Sequence, residues 1–405
     1  MEIPAEEKRS SWLDRPLVTK LALNGETILW LIIIILAIAS RLVDLGARVV
    51  SHDETIHVFL NSYNLFKGLG YRHDPLSHGP FQFHMIALSY FLFGASDFTA
   101  RIPAAVSSIV TIAFMWFYRR YLGRAGALVA AVMLLISPFI LYYARYARED
   151  GLVVLFFAVS LWSILRYLET GKARYTYSLF AVTALHFATK ETGFIYTAEA
   201  LIFLAGFFVY RISQKPWPRP EKRNIFLIAL MATMILAGLT GGFYIYNRGA
   251  AGAAPGGTVA PAVPGQPVVA PIASASSPLL LIFLGLALVA ILVAVYYLLT
   301  GYTLENLREE RSFDLLMLFG LMVLPMLAAF PVKLLGLNPI DYTNSQVILL
   351  DGIFLILLSL GAIVIGLVWK PRLWLINTAI FFSIYTVFFT TVFSNGFGMM
   401  RILRN

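Results

Sequence analysis

The chain contains no cysteine and little charge. With no Cys among 405 residues, disulfides, thiolate nucleophiles and cysteine-held metals are excluded. Asp, Glu, Lys and Arg together make up 13%, where a soluble domain carries about a quarter. A cleavable leader is not expected either. Residues 1–25 are polar and basic with no small-residue cleavage pattern, so 1–26 is expected to be a retained cytoplasmic tail. What is present is hydrocarbon: 59% of residues are hydrophobic and the mean hydropathy is +0.77, the composition of a multi-pass membrane protein. The formal charge of +9 does not point to nucleic acid, because the basic residues sit in short clusters between apolar runs. That pattern encodes topology.

A membrane span needs about 20 apolar residues. Such runs predict helices at 27–45, 102–118, 124–144, 150–167, 175–189, 194–211, 225–246, 278–299, 313–332, 347–369 and 373–393. The apolar stretch 81–94 is short and ends at a glycine, and is expected to lie in the outer interface. With about 11 spans and the N-terminus inside, 19 of the 31 Lys and Arg fall on the inner side. They include Arg119, Arg120, Arg124 and the 211–223 group. Letting 81–94 cross would move both clusters outside, against the positive-inside rule. The expected fold class is therefore an all-α polytopic membrane protein with two juxtamembrane helices in its first outer loop (46–101). A Gly/Ala/Pro-rich linker (249–277) is expected to separate a core (27–248) from C-terminal helices (278–405).

This topology puts three charged groups on the outer side. Asp53-Glu54 opens SHDETIHVF, where Ile56, Phe59, Leu60, Tyr63 and Phe66 recur at helical spacing. The pair would then sit at a helix N-terminus, which favours carboxylate anions. An ionised carboxylate there can act as a general base or serve simply as an N-cap. Arg148-Glu149-Asp150 follows Tyr142, Tyr143, Arg145 and Tyr146. Arg can fork onto a phosphate while the acids orient it or bind an acceptor. Lys190-Glu191 could complement a lipid phosphate, or pair with each other and snorkel. Five of the six histidines (His52, His57, His73, His78 and His84) crowd into the first outer loop. His78, in His78-Gly79-Pro80, could touch substrate, or with His57 hold a metal, although no strong ligand spacing is present.

The order DE, HGP, FLFGASDFTARIPA, RYLGRAGALVAAVMLLISPFILYYARYARED and FATKE resembles integral-membrane glycosyltransferases of the GT-C superfamily. The likeness is to the protein mannosyltransferase and aminoarabinose transferase branch and to mannosyltransferase-like, flippase-associated proteins of bacteria and archaea. It covers roughly residues 27–212. The resemblance implies a polyprenyl-phosphate-sugar donor and a protein, lipid or glycan acceptor. It implies Asp53 as the base that deprotonates the acceptor hydroxyl, with Glu54 as its support and Asp150 as an acidic residue near the site. Lys190 and Arg148 would contact the donor phosphate, and His78, Glu149 and Glu191 would contact substrate. Two cations facing a single phosphate make a cofactor or metal unnecessary. Many members continue into an outer soluble domain, which is expected to be absent here.

Two other functions compete: a flippase or transport component, and a non-catalytic subunit of a membrane assembly. A transporter should show ionisable residues at mid-membrane and broken helices in paired repeats. Here the charges lie mostly at helix ends, with Asp351 near the outer end of its helix, which favours chemistry at the surface.

Overall fold

The computed structural model describes residues 16–18, 23–71, 78–252, 278–341 and 343–393. Most of the expected N-terminal tail, His73, the linker from residue 253 onward and the end at Asn405 lie outside the described residues. Two short antiparallel strands, β1 (Pro16–Val18) and β2 (Leu23–Asn24), precede a chain of helices.

Local chemistry explains where most of the early helices start and stop. Asn24 caps α1 (Gly25–Leu42) by accepting from the Thr27 N–H at 2.9 Å. The expected surface helix after Asp53 is built in three pieces: α2 (Asp53–Thr55), a π-helical stretch (Ile56–Tyr63) and α3 (Asn64–Phe66). Ser62 Oγ donates to the His57 carbonyl, five residues back, at 2.6 Å and reinforces the widened turn. Next comes α4 (Phe81–Phe93), ended by Gly94 at φ 82°. The helix α5 (Asp97–Phe114) begins with a reciprocal capping box between Ser96 and Thr99. A tight turn (Met115–Tyr118) leads to α6 (Arg119–Ile136), which is broken at Gly123 (φ 72°, ψ 171°). Ser137 and Pro138 then end α6 and start α7 (Pro138–Ala144), so the expected 124–144 span is two helices.

The remaining helices are α8 (Asp150–Thr170), α9 (Ala173–Phe187), α10 (Thr192–Gln214), α11 (Pro220–Gly252), α12 (Pro278–Gly301) and α13 (Leu304–Glu309). They are followed by α14 (Arg311–Val323), α15 (Ala329–Leu334), α16 (Ser345–Trp369) and α17 (Pro371–Phe389). Every expected span falls on helix. Among the described residues, eight stretches are long and apolar enough to cross a membrane. The difference from eleven has three sources. Residues 97–136 form one such stretch, α9 has only 15 residues, and the 313–332 run is divided at Leu324–Leu327. Pro325 sits in that division and Pro331 in α15 just after it, and each removes a backbone donor that an unbroken helix needs. The short apolar helix expected at 81–94 is present as α4. The chain is a multi-pass membrane protein.

Two compact units are distinguished: residues 1–200 with 372–405, and residues 201–371. In the first unit, Ala37, Ala127 and Ala131 are fully buried beside Trp30, Ile112 and Tyr118. Small side chains of this kind let α1, α5 and α6 approach closely, as helices in lipid require. Glu26 is buried between Arg119 at 2.8 Å and Arg124 at 2.5 Å, which ties the start of α1 to the start of α6. In the second unit, buried Asp314 accepts from Trp369 Nε1 and Lys370 Nζ, both at 2.8 Å, and so joins α14 to the end of α16. The outward faces of α11, α12 and α16 are apolar, as helices in hydrocarbon must be.

Candidate active site

The site lies in the first unit, where the loop expected at 46–101 meets the turn before α8 and the turn after α9. Its centre is Glu149, whose side chain is fully buried and stands at the N-terminus of α8. One carboxylate oxygen, Oε1, receives Lys190 Nζ at 3.0 Å, His78 Nε2 at 3.3 Å and Arg148 Nη2 at 3.3 Å. The other, Oε2, faces His57 Nε2 at 3.9 Å. Burial pushes the Glu149 carboxyl up, but Lys190, His57 and His78 outweigh it and hold the group below the usual carboxylate range. Glu149 is thus a buried anion around which cations are arranged.

Those cations reach outward to further acids. Arg148 Nη1 binds Asp53 Oδ2 at 2.8 Å, and Lys190 Nζ binds Asp150 Oδ1 at 2.8 Å. Burial works to lower the Lys190 ammonium, yet Glu149 and Asp150 raise it overall, so it stays charged. His78 Nδ1 meets Glu191 Oε2 at 2.9 Å. That hydrogen bond is the largest influence on the ring and raises its pKa above that of a free histidine, while it lowers that of Glu191. His57, packed on Phe83, is pushed down by burial. The two rings expected as alternative metal ligands, His57 and His78, lie parallel with centroids 6.2 Å apart. No group of three metal-ligating side chains is found among the described residues.

Backbone contacts set this geometry. Gly79 N–H donates to the Thr189 carbonyl at 3.0 Å, and Phe81 N–H donates to Ala188 at 2.7 Å. The main chains are so close that a Cβ on Gly79 would lie 2.2 Å from the Ala188 oxygen. This clasp brings His78 and Lys190 onto the same carboxylate. His52 (φ 52°) and His78 (φ 64°) both hold left-handed backbone, a strain of about 1–3 kcal/mol each that tends to collect at functional sites.

Asp53, His57, His78, Arg148, Glu149, Asp150, Lys190 and Glu191 therefore converge. Glu54 goes elsewhere. It is fully buried and accepts from Arg101 Nε at 2.8 Å, Arg101 Nη2 at 2.9 Å, Arg48 Nη2 at 3.0 Å and the Ala147 N–H at 2.8 Å. Arg101 also donates to the Leu45 and Arg48 carbonyls at 2.9 and 2.7 Å. One carboxylate thus pins the segment before Asp53 to the segment before Arg148. Arg101 was not singled out from sequence, although an arginine one residue ahead of an apolar run calls for a partner. Beside the charges, Asp150, Tyr143, Phe139, Ile112 and Leu134 border a small open cleft.

Residues 77–241 match the family described as dolichyl-phosphate-mannose-protein mannosyltransferase. The mannosyltransferase-like protein YkcB of Bacillus subtilis (strain 168) is 20% identical over 195 residues, covering 48% of this chain and 26% of that protein. The chain thus spans about a quarter of this curated relative. Two solved structures align over most of the chain. Archaeoglobus fulgidus oligosaccharyltransferase, in complex with zinc and sulfate, has TM-score 0.42 and 15% identity, covering 93% of this chain and 51% of that one. ArnT from Cupriavidus metallidurans, bound to undecaprenyl phosphate, has TM-score 0.39 and 16% identity, covering 92% and 77%. The resemblance to GT-C glycosyltransferases implied by the order of the motifs is borne out, and it is carried by residues 77–241, which are similar to the protein mannosyltransferases.

Proposed function

We propose that this chain transfers a sugar from a polyprenyl-phosphate-sugar donor to an acceptor hydroxyl on the outer membrane face. The observation that carries this reading is the convergence of Asp53, Arg148 and Lys190 around buried Glu149. Attack on the anomeric carbon forms the acceptor oxygen–C1 bond and breaks the bond from C1 to the phosphate oxygen. The negative charge that develops on the leaving lipid phosphate falls to Arg148 and Lys190, in a water-poor setting where such cations count most. Asp53, 61% exposed, accepts the proton of the acceptor hydroxyl. Its contact with Arg148 suggests an order of events. Phosphate competes for the guanidinium, and a donor that takes Arg148 frees Asp53 to act as the base. Asp150 and Glu149 hold Lys190 charged in the meantime, and His78 and Glu191 bind at the rim. Charge neutralisation by two cations makes a metal unnecessary in this scheme.

The test is direct. Purified protein mixed with an undecaprenyl-phosphate hexose, a glycan acceptor and EDTA should release undecaprenyl phosphate, and Asp53→Asn should not. Equal release by both proteins removes Asp53 from its role, and silence from both across donors and acceptors removes the enzyme reading. Loss of activity in EDTA that returns with a divalent cation removes the metal-free scheme.

A further inference from the structure

The scheme above uses the charges of the 145–150 turn but not the tyrosines beside them. Along α7 and the turn after it, four aromatic rings form a ladder. Phe139 and Tyr143 have centroids 4.7 Å apart, Tyr142 and Tyr143 meet edge-on at 5.2 Å, and Tyr142 stacks on Tyr146 at 5.4 Å with 21° between planes. One end of the ladder is fixed. Tyr146 is buried, its hydroxyl donates to the Ser51 carbonyl at 3.3 Å, and the Arg48 guanidinium lies 5.1 Å from its ring centre. Arg48 in turn holds Glu54. The ladder is thereby tied to the segment that presents Asp53, and Tyr143 shares the cleft with Asp150.

Tyr142 and Phe139 are the exposed members of the ladder, at 54% and 66%, but of these two only Tyr142 stacks on buried Tyr146. An aromatic residue that only anchors a helix at the membrane surface needs no such register with a polar site. A flat ring held this way offers a large contact face at low entropic cost. Its electron-rich face attracts the weakly positive C–H groups on one side of a pyranose ring. We propose that Tyr142, held by Tyr146, is a stacking platform for a pyranose ring at the start of the turn that carries Arg148. This rests on the glycosyl-transfer reading in that a sugar must reach this face. The ring belongs either to the donor sugar or to a glycan acceptor.

Saturation-transfer NMR of the full chain in detergent, with methyl α-D-mannopyranoside as probe, tests the platform. Signal on the sugar ring protons is expected in wild type and in Tyr142→Phe. It should be lost in Tyr142→Leu, which keeps the apolar bulk of an anchor but not the π face. Equal signal in wild type and Tyr142→Leu overturns the proposal, as does no signal in wild type. In the turnover assay, Tyr142→Leu should raise one KM by about 2- to 10-fold, the worth of an aromatic stacking contact, and lower kcat less. A rise for the lipid donor assigns the platform to the donor sugar, and a rise for the glycan assigns it to the acceptor. A change in neither overturns the proposal. Absence of turnover in every protein would sink the glycosyl-transfer reading alone, because the dependence of the NMR signal on the ring is read without turnover.

Discussion

Asp53 and Glu54 are adjacent in the chain, each is paired with arginine, and they differ in almost everything else. Glu54 is fully buried, with four hydrogen bonds from Arg101, Arg48 and Ala147. Asp53 is mostly exposed and holds Arg148 alone. The first pair cannot open without leaving a charge stranded in the interior, at a cost of several kcal/mol. The second is the kind of contact worth about 1 kcal/mol or less, so a substrate phosphate can take its place. Two neighbouring ion pairs thus divide the labour, with a fixed one that sets the geometry and an exchangeable one that can enter a reaction.

Breaking the fixed pair should have the largest effect. Glu54→Ala leaves Arg101 buried without its carboxylate and should destabilise the protein by about 3–5 kcal/mol, measured as lost thermal stability in detergent. Exposed Asp53→Asn should cost about 1 kcal/mol or less in the same melt, yet lower turnover by about 10²–10⁴-fold. Reversed ranks in the melt would dissolve the comparison. Lys190→Met removes one of the two cations proposed to face the donor phosphate, so kcat should fall about 10²–10³-fold, tracked by release of undecaprenyl phosphate.

The smallest effect concerns pH. Glu191 raises the His78 pKa in the fold, so the stability it adds is complete below the unfolded value of about 6.5. That stability is lost as pH rises through the higher folded value. The amount is of order 1 kcal/mol or less for a partly exposed pair. Melts of wild type and His78→Gln should therefore differ most at acidic pH and converge above it. A gap that widens with rising pH would contradict the assigned sign.

Much of the fold was legible because apolar runs near 20 residues have one common solution in lipid, the helix. The helix after Asp53 and the short helix at 81–93 were legible too, from a stripe at helical spacing and from a run too short to span. The π-helical widening at Ile56–Tyr63 was not, since it depends on how the loop packs. The converging residues were named from their charge and their place at helix ends. Arg101 and Gly79 were missed for a physical reason: their importance lies in partners 47 and 109 residues away, and no local pattern encodes such contacts. Tyr142 was named only as a residue ahead of the 148–150 charges, because stacking on Tyr146 is invisible without the turn between them.

The sequence by itself determined that the chain is helical and membrane-embedded, that its acids and bases gather at the ends of apolar runs, and which family its motifs resemble. Only the tertiary structure decided which member of the acidic pair is exposed. Successive residues at the start of a helix point about 100° apart, so Asp53 and Glu54 cannot face the same environment. Which one turns inward is settled by where Arg101 and Ala147 stand, and that is a property of the packed helices.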